Sequence, residues 1–320
     1  MSFIRVANWA RSAATTTRLY STEASAKKSN LPLYLVGASL AVAGVYGYTT
    51  STTQEKPKKI LTSALDPQNF VNLKLKRVEP YNYNTATFVF ELPEGQASLL
   101  PIASCVVLKS DNFKDANGKP IARPYTPISP SDAEGELTFL IKKYENGNVS
   151  KYIHSLAPGD TLDVKGPLPK WPWKMNEFDE VGLIAGGTGI TPMYQVLQHA
   201  LADKDNKTKF KLLYANVSEP DILLREQLDA MKSKYPHKFD VVYVIDKPSE
   251  NWKGSTGYID VDLIKRHIAP PSLGEKVKVF VCGPPPQVAA IAGKKAGMKQ
   301  GELGGILREL GYTEDQVYKF

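Results

Sequence analysis

The sequence predicts a single membrane-spanning helix followed by a two-part body, an antiparallel β-barrel and then an α/β parallel sheet. Three patterns predict it. An uncharged apolar run lies near the amino terminus; short alternating segments split by turn residues follow; apolar runs then alternate with helical ones. At 320 residues, 42% hydrophobic and 23% charged, the chain is long enough for about two globular domains.

Residues 1–30 are rich in Arg, Ser, Thr and Ala and nearly free of acid, which suits a mitochondrial targeting leader. Residues 31–48, LPLYLVGASLAVAGVYGY, form an apolar stretch inside an uncharged run from Ser29 to Gln54. As a helix it reaches about 27 Å, close to a hydrocarbon core of roughly 30 Å. Tyr34, Tyr46 and Tyr48 sit near its ends, where interfacial aromatics belong. A buried core helix is the alternative. Residues 49–64, with Pro57 and three lysines, make a linker.

Residues 65–174 carry the barrel pattern, with strands expected at Phe70–Val78, Thr85–Leu92, Ser104–Lys109, Leu137–Tyr144 and Thr161–Lys165. Residues 175–320 change rhythm. Strands at Val181–Ala185, Lys211–Ala215, Asp240–Val244 and Lys278–Cys282 enclose helices such as Pro192–Ala202 and Ile222–Lys234. Ligands of such sheets bind beyond the carboxyl ends of the strands.

Charge and composition exclude several classes. Of 40 Lys/Arg and 33 Asp/Glu, residues 1–59 hold eight basic and two acidic, so the remaining 32 and 31 nearly cancel. A nucleic-acid binder would carry the excess on its folded body. Two cysteines, Cys105 and Cys282, and four scattered histidines (His154, His199, His237, His267) give no metal or disulfide framework.

The segment Leu183-Ile-Ala-Gly-Gly-Thr-Gly-Ile-Thr-Pro192 places Gly186, Gly187 and Gly189 between a strand and a helix. Glycines let the backbone approach a ligand, and a helix start favours phosphate. Thr191 and Pro192 suit the cap and first position. Tight strand–helix packing is the plainer use of those glycines. Three further motifs accompany the turn. Arg123-Pro-Tyr-Thr-Pro127 is expected at the start of a barrel strand. Gly147-Asn-Val-Ser150 precedes a short helix expected near Lys151, and Cys282-Gly-Pro-Pro-Pro286 follows the last parallel strand.

In that order the four motifs resemble the ferredoxin–NADP reductase superfamily. Lys142-Lys-Tyr144, the run from Ala215 to Arg225 and the closing Phe320 resemble its NADH-cytochrome b5 reductase branch, and the leader and span resemble fungal mitochondrial members. The resemblance covers about Leu65 to Phe320. It implies an FAD flavoprotein, anchored by one amino-terminal span, that oxidises NADH by hydride transfer and reduces cytochrome b5 in one-electron steps. The implied place is the outer mitochondrial membrane, with a processed soluble intermembrane-space form as an alternative, and the implied state is a monomer.

Residue by residue, the resemblance implies that Arg123, beside Pro124, grips the FAD pyrophosphate, that Tyr125 lies on the flavin face and that Thr126 bonds near its reactive nitrogen. Gly147, Asn148, Val149 and Ser150 make a second phosphate grip. Lys142, with Tyr144 in its segment, helps to bind the nicotinamide nucleotide. Gly186, Gly187, Thr188 and Gly189 receive that nucleotide, with Thr188 and Thr191 reaching toward the flavin–nicotinamide junction. Cys282 stands beside the nicotinamide with Gly283 and Pro284 shaping the wall. Thr126, Thr188 and Cys282 form the catalytic set, and Cys282 positions rather than attacks. Asp246 selects NADH through the ribose 2′-hydroxyl, with Asp221 a second acid of weaker claim.

Each residue also has an ordinary use: surface cation, strand packing, N-cap for Ser150, structural thiol, loop-starting Asp. Pro169 stands where the family has a glycine, and Lys294–Gly305 is Gly/Lys-rich with no assigned role. Rival functions are a reductase for a quinone or an ascorbyl-type radical, and a catalytically silent tether.

Overall fold

The computed structural model describes residues 60–320 apart from Ala116. The leader and the membrane span assigned to 1–48 lie outside the described residues.

The first lobe is built from β1 (Thr62–Ser63), β2 (Val71–Pro80), β3 (Thr85–Glu91), β4 (Gln96–Ala97), β5 (Ser104–Lys114), β6 (Pro120–Tyr125), β7 (Glu136–Lys142), α1 (Asn148–Ile153) and β8 (Thr161–Pro169). β1 and β4 form a short parallel pair. The other six strands make an antiparallel sheet in the order β6-β5-β8-β2-β3-β7, wrapped around one core. Alternation explains the wrap. Leu137, Phe139 and Ile141 of β7 point into this core with Phe88 and Phe90 of β3, whereas Leu140 faces the second lobe. Val149 and Ile153 of α1 fill the same core. Each such side chain contributes about 1.5–3 kcal/mol by leaving water.

The second lobe runs β9 (Glu180–Gly186), α2 (Ile190–Ala202), β10 (Lys209–Asn216), α3 (Arg225–Lys234), β11 (Phe239–Ile245), β12 (Ser255–Thr256), α4 (Val261–His267), β13 (Val277–Cys282), α5 (Pro285–Ala292), α6 (Gly305–Glu309) and β14 (Val317–Lys319). Its sheet is wholly parallel in the order β12-β11-β10-β9-β13-β14. Both faces are buried, as parallel sheets require. Leu183, Leu212, Tyr214 and Phe280 pack with α2 and α3; Ile184, Leu213, Val279 and Val281 pack with α4, α5 and α6. The chain leaves β9 toward β12 and returns on its other side as β13. The topological switch point, where ligands bind in such sheets, is therefore the β9–β13 pair. Both lobes belong to one compact unit.

Four local expectations are corrected. Arg123-Pro-Tyr125 ends β6 instead of starting a strand. α1 begins at Asn148 with Gly147 as its cap, so Ser150 lies within its first turn; its hydroxyl donates to the Gly147 carbonyl at 3.0 Å and accepts from the Tyr144 N–H. The glycine turn is a short 3-10 segment, Gly187–Gly189, and α2 starts at Ile190. Thr191 thus sits inside the helix, donating to the Thr188 carbonyl at 3.2 Å. The helix expected from Ile222 begins only at Arg225, because Leu224 takes a left-handed φ of 59°. Pro169 closes β8 opposite Ser104.

Candidate active site

One cavity of about 1630 Å³ separates the lobes, and every residue singled out for ligand contact lines it. Arg123, Pro124 and Tyr125 reach it from the end of β6 with Thr126 just beyond. Lys142, Tyr144, Gly147, Asn148, Val149 and Ser150 reach it from the β7–α1 turn. Gly186, Gly187, Thr188, Gly189 and Thr191 come from the β9–α2 junction, Asp246 follows β11, and Cys282, Gly283 and Pro284 follow β13. The strand order sets them out in a row: Tyr258 and Asp246 at one end, then Asn216, the glycine turn and Cys282, with Phe320 after β14 at the other.

The glycine turn is built by close approach. A methyl on Gly189 would overlap the Cys282 carbonyl, so only glycine lets the β9 and β13 ends meet there. Tyr214, fully buried, donates its hydroxyl to the Gly187 carbonyl at 3.0 Å and accepts the Leu223 N–H at 3.2 Å. Burial pushes the Cys282 thiol up to about 12 and the Tyr125 phenol also to about 12. Both are neutral at physiological pH, which suits contact with an uncharged ring rather than acid–base work.

Five hydrogen bonds, two of them to one acid, tie the lobes beside the cavity. The Tyr144 hydroxyl and Thr188 Oγ1 share a bond of 2.8 Å. Asp221 accepts from Tyr83 at 2.7 Å, from Ser218 at 2.6 Å and from Lys142 at 3.0 Å. Burial alone would raise its carboxyl, but these three partners outweigh burial and hold it below the ordinary value. The Asn82 amide donates to the Pro220 carbonyl at 2.8 Å, and the Tyr81 hydroxyl accepts the Leu224 N–H at 2.7 Å. Asp221 is thus engaged in the lobe contact, while Asp246 is exposed to the cavity.

Sequence reasoning missed Tyr81, Asn82, Tyr83 and Tyr214. The Tyr-Asn-Tyr-Asn84 tip of the β2–β3 turn was the available signal, since paired tyrosines at a turn need a surface to rest on.

The cavity's polar inventory fits an FAD and a nicotinamide nucleotide. The side chains of Ser104, Asn216 and Gln287 line it with buried polar atoms that have no protein partner among the described residues, and such atoms are costly unless a ligand or water meets them. Arg123, exposed with one guanidinium nitrogen on the Ala122 carbonyl, keeps further donors for a phosphate. At Gly147 a methyl would fall 2.5 Å from Ser150 Oγ, so the tight turn that brings Ser150 back onto the Gly147 carbonyl requires glycine there.

Comparisons agree with that inventory. Residues 72–173 match the oxidoreductase FAD-binding domain and residues 183–293 the oxidoreductase NAD-binding domain. The chain is 46% identical to an NADH-cytochrome b5 reductase 2 of Mycosarcoma maydis, over 97% of this chain and 95% of that protein. It is 44% identical to the same-named protein of Aspergillus terreus, over 95% of each. Among solved structures, the cytochrome b5 reductase domain of Ulva prolifera nitrate reductase superposes with a TM-score of 0.70 at 28% identity, covering 81% of this chain and all of that one. The CS-b5R domains of human Ncb5or superpose at 0.61 and 28%, covering 78% and 69%. With relatives this similar matched along nearly their whole length, the chain belongs to the NADH-cytochrome b5 reductase family.

Proposed function

We propose that this chain is a membrane-anchored FAD enzyme that oxidises NADH and passes the electrons singly to cytochrome b5. The observation that carries the reading is the convergence of flavin-type and nucleotide-type motifs from two lobes on one cavity. FAD, when bound, supplies the conversion of a hydride into two single electrons. The protein's share is placement. Arg123 and the Gly147–Ser150 turn hold the pyrophosphate from the barrel side, and Tyr125 and Thr126 set the flavin ring. The glycine turn, with Thr188 and Thr191, seats the nicotinamide nucleotide against it, and Cys282, Gly283 and Pro284 wall off water. Holding two reactants in register is worth several kcal/mol of barrier. Lys142 and Tyr144 stand between the lobes and close the site over the nucleotide. Asp246 bonds the ribose and repels a 2′-phosphate.

The flavin falls to residues 65–174 and the nucleotide to residues 175–320. One span at 31–48 anchors a monomeric enzyme in the outer mitochondrial membrane, after a leader at 1–30 and ahead of a linker at 49–64. Sharing a membrane with the acceptor raises their effective concentration. Processing that removes the span would release a soluble intermembrane-space form. Arg123→Ala tests the flavin site: the variant is expected to purify colourless with its second lobe folded, and full flavin occupancy would refute the assignment. Protease treatment of intact mitochondria, followed by carbonate extraction, tests the anchor; release of the whole protein by carbonate would remove it.

A further inference from the structure

Asp246 opens the loop that runs from the end of β11 to β12, and its side chain is exposed. Its direction is therefore set by the backbone that carries it. Two bonds hold the start of that loop: the Asp246 N–H on the Asn216 carbonyl at 3.0 Å and the Lys247 N–H on the Val217 carbonyl at 2.7 Å. Beyond them, residues 248–254 make no backbone bond to another element among the described residues. Of residues 246–254 only Trp252 is not exposed. Side chains have to hold the rest.

They do so from one place. The Ser249 hydroxyl donates to the Glu219 carboxylate. The Trp252 indole packs against the core of the second lobe and donates its N–H to the Ser255 carbonyl at 3.0 Å. Gly254 lets the chain fold back on that indole, since a methyl there would fall 2.5 Å from the ring. Both holds meet at Arg225, the first residue of α3. Its guanidinium carbon lies 5.6 Å from the Trp252 ring centroid and 5.6 Å from that of Tyr243 on β11, and one of its nitrogens lies 3.6 Å from the Glu219 carboxylate. A planar cation suits two ring faces and a carboxylate together better than a compact ammonium does. Asp229 steadies the other side, accepting from the Tyr243 hydroxyl at 2.7 Å and lying 3.9 Å from the Arg225 guanidinium. None of Arg225, Glu219, Ser249 and Trp252 lines the cavity.

We propose that Arg225 is a positioning residue for cofactor selection: with Trp252 and the Glu219–Ser249 bond it clamps loop 246–254, so that Asp246 is held to the ribose 2′-hydroxyl and NADH is preferred over NADPH. The proposal rests on the role of Asp246 argued above and adds what fixes its place. A group that discriminates through one hydrogen bond must stay within about half an ångström of its working position. Releasing the loop weakens the ribose bond and relieves the repulsion of a 2′-phosphate together. It leaves the meeting of nicotinamide and flavin alone, because the glycine turn after β9 seats that end of the nucleotide.

The test uses the full-length flavoprotein and its Arg225→Gln, Arg225→Lys and Asp246→Thr variants, with the Arg225→Gln/Asp246→Thr pair. Flavin bleaching by NADH and by NADPH gives a half-saturating concentration and a limiting rate for each. Calorimetry with ADP-ribose and 2′-phospho-ADP-ribose reads binding without chemistry. Arg225→Gln is expected to raise the half-saturating NADH concentration about tenfold, the order of one charge-assisted hydrogen bond, with an unchanged limiting rate. The preference for ADP-ribose over its 2′-phosphate narrows with it. Arg225→Lys keeps the charge and loses the plane, so it should follow the Gln variant. In the pair, Arg225→Gln should add nothing to the preference left by Asp246→Thr. An unchanged preference in either Arg225 variant, or a full additive step in the pair, overturns the clamp; should Arg225→Gln not fold, Ser249→Ala, an exposed change in the same loop, decides in its place. A preference unmoved by Asp246→Thr overturns the selecting role of Asp246, and the clamp with it.

Discussion

Cys282 shows how burial decides a residue's chemistry. It ends β13 at the switch point, and a thiol pushed up to about 12 is no nucleophile at neutral pH. Alkylation by iodoacetamide at pH 8 is therefore expected to be slower than for a free cysteine, as read by mass spectrometry of the peptide; labelling at the free-thiol rate would contradict the assigned environment. Lys278 makes the same point at a structural site. Its side chain is 1% exposed, donates to the Asp315 carbonyl and lies 3.8 Å from the Trp171 ring centroid. Burial lowers its pKa from 10.5 to about 8. The unfolded chain binds the proton more tightly, so Lys278 carries a penalty in full below pH 8 that is relieved as pH rises toward 10.5. Denaturant titrations of Lys278→Met and wild type should show their stability difference shifting in favour of the wild type across that window. A constant difference would reject the depressed value.

Among the elements, the glycine turn and its supports are the most sensitive. Gly189→Ala must displace the Cys282 carbonyl, so kcat/KM for NADH is expected to fall about a hundredfold while FAD stays bound; steady-state kinetics and the flavin spectrum separate the two. Tyr214→Phe leaves the Gly187 carbonyl and the Leu223 N–H without their partner and should cost about 1–3 kcal/mol in urea denaturation. The turn itself was legible because glycines between an apolar run and a helix have few other uses. Its support by Tyr214 was not, since a strand tyrosine looks the same whether its hydroxyl meets water or a distant loop. Helix starts were misplaced for a related reason: Thr191 and Ser150 are good caps by type, but the helices start at Ile190 and Asn148, and both hydroxyls turn back to carbonyls three residues earlier instead. β14, three residues long, pairs with β13 in a way no local pattern announces.

For the whole molecule, two lobes meet through polar contacts at the tips of Tyr81–Asn84 and Pro220–Leu224 and enclose one cavity. Spacing of apolar runs revealed both lobes and their order, because alternation and βαβ rhythm are local. The clamp joining them was hidden, since Tyr83 and Asp221 are 138 residues apart. Removing it tests whether lobe register matters to the reaction. Tyr83→Phe should lower the rate of flavin reduction by NADH more than it changes FAD retention, and an unchanged rate would make the clamp purely structural. The central claim is electron passage from NADH through this cavity to a haem. The direct measurement is stopped-flow absorbance on the purified full-length protein, mixed first with NADH and then with oxidised cytochrome b5. Loss of the yellow flavin absorbance followed by rapid haem reduction is the predicted result; a protein that holds flavin but does not bleach with NADH would contradict it.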